Sequence, residues 1–214
     1  MPVPPRAVVF DFNGTLSQDE PILCEIFSEL FAEHGRPLSA QEYFDELAGL
    51  SDPEIVRTWL GESHPAVDEV IAERIRRYRA AVADGSTVSE EVRAAVRYAA
   101  ARVPVAIVSG AARAEIEPVL AGAGIGDSVT VIVPAEDVER GKPHPDGYAR
   151  AATLLGVAAP DIVAFEDTEA GVASAKDAGL RCIAVLGTLS PARLVRADEI
   201  VERVDVPLME RLLE

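Results

Sequence analysis

Five short apolar runs, rich in β-branched residues, are separated by stretches with the 3.6-residue spacing of amphipathic helices. Strands that alternate with helices in this way form βαβ units. The pattern therefore predicts an α/β fold built on a doubly wound, Rossmann-like parallel sheet. The predicted strands cover residues 8–10, 103–108, 129–133, 161–167 and 181–187.

The stretch between the first and second strands contains only helix signals. Apolar residues recur at helical spacing over residues 22–32, and Ser-x-x-Glu capping boxes begin at Ser39 and Ser51. A fourth, strongly charged helix is predicted for residues 65–82. We therefore expect an all-helical insert at residues 17–84, within a core formed by residues 1–16 and 85–214.

Polar side chains follow four of the five predicted strands. Asp11 ends the first strand, Ser109 follows the second, Lys142 lies in the loop after the third, and Glu166 and Asp167 end the fourth. Each has a structural explanation when taken alone: an N-cap for the serine, a solvated loop charge for the lysine and a helix start for the acid pair. Packing does not require all of them at equivalent strand ends. Because the carboxyl ends of parallel strands share one edge, their coincidence predicts a site there.

The motifs that contain these residues also occur in a recognisable order. They read DFNGT at residues 11–15, SG at 109–110, GKPHPDGY at 141–148 and FEDTEAGVASAKDAGL at 165–180. Over nearly the whole chain, their order and spacing resemble the four signature motifs of the haloacid dehalogenase-like hydrolases, a superfamily of mostly phosphatases. The helical insert between the first two motifs resembles the cap of the subfamily that includes β-phosphoglucomutase and phosphoglycolate phosphatase.

The resemblance implies a role for each strand-end group. Asp11 would attack phosphorus and form an aspartyl phosphate, while Ser109 and Lys142 would hold the phosphate oxygens. The implied Mg²⁺ ligands are Asp11, Asp167 and the backbone carbonyl of Asn13, with Glu166 supporting the metal shell.

General chemistry agrees with these implied roles. Carboxylates act as nucleophiles in phosphoryl transfer, and Mg²⁺ prefers a few protein oxygen ligands together with the phosphate itself. A lysine such as Lys142 offsets the repulsion between a carboxylate and a phosphate dianion. Backbone N–H groups of Gly14, Thr15 and Gly110 are further predicted phosphate donors.

The helical insert contains a loop at the position of the substrate-specificity loop in related caps. Gly49, Ser51 and Asp52 lie in it, although a capping box explains Ser51 equally well. Further along, we interpret the basic cluster at residues 74–77, together with Arg57 and His64, as a solvated helix face rather than as contacts to a second anionic group.

One position departs from the phosphatase pattern, because Asn13 stands where the second aspartate acts as general acid and base. An amide cannot exchange a proton usefully near pH 7, and general acid–base catalysis is worth roughly 10²- to 10⁴-fold. Three interpretations stay open. The favoured one is a slow or specialised Mg²⁺-dependent phosphatase whose leaving group needs little protonation, or whose proton comes from Asp19, Glu20 or a substrate group. The others are a hydrolase of a different chemistry and a binding protein for a phosphorylated ligand; a deliberately introduced Asp-to-Asn change also stays open.

Composition restricts the partners. A net charge of −16, from 36 acidic and 20 basic residues, disfavours nucleic acid and anionic membranes. The apolar runs are too short to span a bilayer, and residues 1–5 lack the pattern of a secretory leader, so we expect a cytoplasmic monomer or homodimer. Its expected partner is a small phosphorylated metabolite. Cys24 and Cys182 are predicted to be buried apolar residues.

Overall fold

A single parallel sheet of six strands lies at the centre of the computed structural model, which describes residues 4–214. The strand order is β3-β2-β1-β4-β5-β6, and every neighbouring pair is parallel. The α/β prediction is therefore confirmed, while residues 1–3 of the predicted core lie outside the described residues. The strands are β1 (Ala7–Phe10), β2 (Val105–Val108), β3 (Val131–Val133), β4 (Ile162–Glu166), β5 (Arg181–Val185) and β6 (Glu199–Val201).

The helices of the described chain fall into two groups. Those between β1 and β2, with no strand among them, are α1 (Glu20–Glu33), α2 (Ala40–Glu42), α3 (Asp52–Leu60), α4 (Val67–Val82) and α5 (Glu90–Ala100). A π-helical turn, Tyr43–Leu47, continues α2. Those after β2 are α6 (Arg113–Gly122), α7 (Asp146–Leu155), α8 (Glu169–Asp177) and α9 (Val206–Leu213).

Strand β1 is buried on both faces, as a continuous apolar strand of a parallel sheet should be. Val8 and Phe10 pack into one hydrophobic cluster, while Ala7 and Val9 pack into another on the opposite face. The ring of Phe10 stacks on Phe165 of β4 with 5.0 Å between centroids. The centre of the sheet is thus fixed rigidly, directly before the motif that begins at residue 11.

The predicted capping boxes form, but the end of the sheet was missed. Ser39 donates from its backbone N and its Oγ to Glu42, and the N–H of Glu42 returns a bond to Ser39 Oγ at 3.3 Å. At the second box, Ser51 donates from N and Oγ to Glu54 at 2.9 and 2.6 Å.

Strand β6 was not predicted, because a three-residue edge strand contains no apolar run that would reveal it. Helix α9, which follows this strand, was not predicted either.

Two neighbouring segments connect the sheet to helices α1–α4. The Oγ atoms of Ser17 and Thr87 lie 2.7 Å apart in a hydrogen bond, and the N–H of Gln18 donates to the Thr87 carbonyl at 2.8 Å. The entry and exit of the helical insert, residues 17–84, are thereby tied together beside the carboxyl end of β1. The division into core and insert domains itself stays a prediction.

Within residues 4–214, no helix combines the length and the apolar character that crossing a membrane requires.

Gly85 lies at the exit of the insert, with φ of +71°. A Cβ atom there would approach the backbone N of Ala123 to 2.2 Å, whereas Gly35, also at +71°, has open space around the equivalent position. We expect Gly35→Ala to lower the free energy of unfolding by about 1–2 kcal/mol, from the left-handed conformation alone. Gly85→Ala should lose about 1–3 kcal/mol more, because the backbone must shift. Urea denaturation of both variants measures this, and equal losses would contradict the described packing.

Candidate functional site

A cavity of about 690 Å³ lies between the carboxyl edge of the sheet and the helical insert. Its walls contain many of the residues that the sequence singles out. From the core these are Asp11, Asn13, Ser109, Gly110 and Lys142, and from the insert they are Gly49, Ser51 and Asp52. The remaining predicted residues, Gly14, Thr15, Glu166 and Asp167, are buried beside this wall.

Three carboxylates meet at the floor of the site. One oxygen from each of Asp11, Glu166 and Asp167 lies within 4.8 Å of the others. Their proximity follows from the sheet, because Phe10 of β1 pairs in register with Phe165 of β4, and the N–H of Asp11 donates to the Phe165 carbonyl at 2.9 Å. Parallel pairing of two adjacent strands thus delivers all three acids to one point.

Lys142 supplies the positive charge of this cluster. Its Nζ forms an ion pair with Asp11 and another with Glu166, the latter at 2.5 Å. Its side chain is only 17% exposed, so the interpretation of this lysine as a solvated loop charge is wrong. Burial by itself disfavours the ammonium, but the carboxylates of Asp11 and Glu166 outweigh it and raise the pKa of Lys142.

Hydrogen bonds orient Glu166 from several sides. The hydroxyl of Tyr148 donates to its Oε1 at 2.8 Å, while the N–H of Asp167 and the hydroxyl of Thr168 donate to its Oε2 at 3.1 and 3.2 Å. Both oxygens of Glu166 therefore already have protein partners. These donors hold the Glu166 carboxylate in a fixed orientation.

Asp167 is held by two threonines. Thr15 donates from Oγ1 to Asp167 Oδ1 at 3.0 Å, and the hydroxyl of Thr188 donates to Oδ2. Gly14 lies so close that a Cβ atom there would collide with this carboxylate. The sequence prediction missed Thr188, although its position just beyond β5 is the same strand-end signal that marks the other groups.

The cluster contains more negative than positive charge. Three carboxylates surround one ammonium group, and burial raises the pKa of Asp11 and of Asp167, with neighbouring carboxylates adding to both shifts. Buried charges of this kind are normally paired or coordinate a metal. An all-oxygen donor set with two uncompensated negative charges fits a hard divalent cation such as Mg²⁺. The residues that would hold it are Asp11 and Asp167, with Glu166 behind them.

Ser109 contributes to the cavity wall rather than to a helix cap. Helix α6 begins at Arg113 and its N-cap is Ala112, so the N-cap interpretation of Ser109 is wrong. Its Oγ instead accepts a hydrogen bond from the N–H of Ala111 at 3.0 Å. Ser109 and Gly110 thus form a tight turn that faces the cavity at the carboxyl end of β2.

Asn13 belongs to a hydrogen-bond network that reaches into the insert. Its Nδ2 donates to Asp19 Oδ2 at 3.0 Å and to the hydroxyl of Tyr78 at 3.1 Å, and that hydroxyl donates to Asp19 at 2.5 Å. The N–H of Gly14 also donates to Asp19, at 3.3 Å. The sequence prediction did not find Tyr78, because its partners lie far away along the chain.

The two acids considered as replacement proton donors occupy different environments. Asp19 is fully buried behind Asn13 and is absent from the cavity wall, whereas Glu20 is part of that wall. The hydroxyl of Tyr43 donates to Glu20 Oε2 at 2.9 Å. Burial raises the pKa of Glu20 to about 7, so its carboxyl group exchanges a proton close to neutral pH.

Arg74 corrects the prediction for the basic cluster. It is buried rather than solvated, and its guanidinium pairs with Asp52 at 3.0 Å and with Glu115 of α6. The neighbouring Arg76 and Arg77 do form the expected outer face, since they pair with Glu73. Arg57 is exposed and, like His64, does not contribute to the cavity wall. Cys24 and Cys182 are buried free thiols, as predicted.

Comparison with known proteins finds a matching family and similar phosphatases. Residues 8–185 match the family model of the haloacid dehalogenase-like hydrolases. Validoxylamine A 7'-phosphate phosphatase from Streptomyces hygroscopicus subsp. limoneus is 31% identical and covers 92% of this chain and 93% of its own. Hexitol phosphatase A from Escherichia coli is 30% identical, and the alignment covers 94% of this chain and 92% of that protein.

A solved structure shows the same architecture. CbbY from Rhodobacter sphaeroides, crystallised in complex with phosphate, superposes with a TM-score of 0.82 at 26% identity, covering 94% of this chain and 95% of its own. The chain therefore belongs to the haloacid dehalogenase-like hydrolase family.

Proposed function

We propose that the protein is a Mg²⁺-dependent phosphatase that hydrolyses a small phosphorylated metabolite through an aspartyl phosphate on Asp11. The observation that carries this proposal is the buried cluster of Asp11, Glu166 and Asp167 with Lys142 at the floor of the cavity. The phosphatase names of the relatives support the same reaction class.

The chemistry proceeds in two displacements. An oxygen of Asp11 attacks phosphorus, the bond from phosphorus to the ester oxygen breaks, and the alcohol leaves after taking up a proton. Water then attacks the aspartyl phosphate, which releases inorganic phosphate and restores the Asp11 carboxylate. Lys142 holds the nucleophile and offsets charge on the phosphoryl oxygens, while Ser109 and the N–H of Gly110 supply donors from β2.

Asp11, Asp167 and the Asn13 backbone carbonyl would hold Mg²⁺, with Glu166 behind them. The bound ion supplies charge neutralisation for the phosphate and the acidic cluster. The threonine hydroxyls that bond Asp167 fix its carboxylate in place, an orienting role typical of groups behind a metal ligand.

Glu20 is the proposed source of the proton that Asn13 cannot provide. It shares the cavity with Asp11, and its pKa of about 7 matches that of an effective acid at neutral pH. Asp19 is less suitable because it lies behind the wall, where Asn13 and Tyr78 donate to its Oδ2 and the N–H of Gly14 donates to its Oδ1.

The helical insert is proposed to act as a cap that excludes water and selects the substrate. Its loop packs on the core at Gly49, where a Cβ atom would lie 3.0 Å from the side chain of Thr168. Gly49, Ser51 and Asp52 are the proposed substrate-contacting positions of this loop, since all three line the cavity.

A second candidate function, the binding of a phosphorylated ligand without efficient turnover, is favoured by Asn13 alone. It predicts that a phosphorylated compound stabilises the fold thermally while no phosphate is released over hours.

We expect Asp11→Asn to lower turnover of p-nitrophenyl phosphate roughly 10³-fold or more, because the nucleophile is lost. Phosphate release with Mg²⁺ measures this, and mass spectrometry of quenched protein should find the covalent phosphate in the parent but not in the variant. The exposed Asp127→Asn is the matched control. Chelation of divalent ions should stop turnover of the parent. Activity of Asp11→Asn within a few-fold of the parent would exclude Asp11 as the nucleophile.

Restoring an acid at position 13 should accelerate turnover at least about tenfold, because a base then activates the attacking water. Asn13→Asp alone places two carboxylates 3.0 Å apart, whereas the exchange variant Asn13→Asp/Asp19→Asn keeps one amide and one carboxylate in contact. We expect both variants to gain activity, and the single variant to melt at lower temperature. Steady-state kinetics and thermal unfolding distinguish the effects; no gain in either variant would favour the binding function.

Glu20→Gln should slow hydrolysis of an alkyl phosphate at least about tenfold, because the alkoxide leaving group needs a proton. The pre-steady-state release of p-nitrophenol, which leaves without one, should not change. The exposed Glu25→Gln on the same helix is the control. Equal slowing of both leaving groups would contradict a proton-donor role.

The raised pKa of Glu20 gives this experiment an independent readout. Between an unfolded pKa near 4.5 and a folded pKa of about 7, the folded state binds the proton more tightly, so stability falls as the pH rises through this window. The free energy of unfolding of the parent should therefore drop by on the order of 2 kcal/mol more than that of Glu20→Gln between pH 4.5 and 8.

A further inference from the structure

A second charged cluster lines the cavity, formed by the insert together with helix α6. Arg74 of α4 lies at its centre, between Asp52 at the start of α3 and Glu115 of α6. The side chains of Arg74 and Glu115 are only 6% and 2% exposed. Glu20 lies close enough for the charges of both Arg74 and Asp52 to affect its pKa. This part of the cavity, formed by the insert and α6, therefore contains one arginine with Asp52, Glu115 and Glu20 around it.

The positive charge of Arg74 is already neutralised by ion pairs within this cluster. Nη2 lies 3.0 Å from Asp52 Oδ1, and Nη1 donates to Glu115. Two carboxylates on one guanidinium leave a net charge of −1. The Nε of Arg74 is buried, so within residues 4–214 the guanidinium presents no free donor to a second anionic group.

The other cations of the cavity wall are also paired. Lys142 forms ion pairs with Asp11 and Glu166, and the exposed Arg140 pairs with Asp146 at 2.8 Å. Among the described residues, the wall thus contains three strong cations, each held by acids of this chain, and six carboxylates. A second anionic group on a substrate would meet net negative charge and no cation without an acidic partner.

We propose that the insert side of this cavity selects phosphate monoesters of polyhydroxylated compounds that carry no second acidic group. This inference rests on the proposed phosphatase function and names its substrate class. Hydroxyl groups of the alcohol portion donate to Asp52, which replaces the water that this carboxylate loses when the substrate enters. Discrimination against a carboxylate or a second phosphate arises because either would be desolvated beside Asp52 and Glu115.

Three six-carbon monophosphates with the same phosphate position test the proposal on the full-length protein with Mg²⁺: sorbitol 6-phosphate, glucosamine 6-phosphate and 6-phosphogluconate. We expect kcat/KM for the neutral polyol and for the amine to exceed that for the acid at least about tenfold. Comparison of sorbitol 6-phosphate with glucosamine 6-phosphate shows whether the wall attracts positive charge in addition to binding hydroxyl groups. An acid that is hydrolysed as well as the polyol would overturn the proposal.

Asp52→Asn supplies the residue-level test, because it removes one of the two acids on Arg74 and frees part of its charge. The preference for sorbitol 6-phosphate over 6-phosphogluconate should fall at least about threefold, mainly through a lower KM for the acid. Glu46→Gln removes the same charge from an exposed position of the insert and should leave the preference unchanged. An unchanged preference in Asp52→Asn would refute the assignment of this wall.

Failure of the phosphatase function gives a different result. No phosphate release from any compound, p-nitrophenyl phosphate included, would reject the reaction but not the charge selection. In that case, thermal stabilisation by the same three compounds tests the inference directly, and sorbitol 6-phosphate must stabilise the fold more than 6-phosphogluconate does. Turnover without any charge preference would reject only the inference.

Discussion

The central constraint on this molecule is the burial of three carboxylates beside one lysine at the carboxyl ends of β1 and β4. Such a concentration of like charge is tolerable only if every oxygen is held by a donor or by a cation. Residues that lie far apart in the sequence serve this purpose, among them Tyr148 and Thr188. The packing is so close that a Cβ atom at Gly171 would lie 1.9 Å from the Glu166 carboxylate. The rigid sheet below the site is what keeps these distances fixed.

Asn13 has a physical reason to be an amide in this setting. Its Nδ2 donates to Asp19, which also receives the hydroxyl of Tyr78. A carboxylate in place of the amide would face another carboxylate at hydrogen-bond distance, and one of the two would have to hold a proton. The same network joins the floor of the site to helix α4. The identity of residue 13 is therefore linked to the position of the insert as well as to proton transfer.

Much of the fold and the site could be predicted from local sequence patterns. Apolar runs locate β1 and β4, and the rule that parallel strands share a carboxyl edge brings Asp11 and Asp167 together before any coordinates are known. What failed depends on long-range side-chain partners. Arg74 looks like one member of a basic stretch, and only the fold shows that Glu115, far along the chain, removes it from solvent. Strand β6 was missed because pairing with β5, rather than its own composition, makes it a strand.

Strand β1 also has a consequence for how the chain reaches its folded state. It precedes the other five described strands in the sequence and lies in the middle of the sheet, where Val8 pairs with Val105 of β2 and with Val163 of β4. Such non-local pairings slow folding, because long loops must close before the contacts form. During synthesis the helices of residues 17–84 emerge complete while this hydrophobic strand still has neither neighbour. An exposed hydrophobic segment of this kind is prone to aggregation until β2 and β4 pair with it.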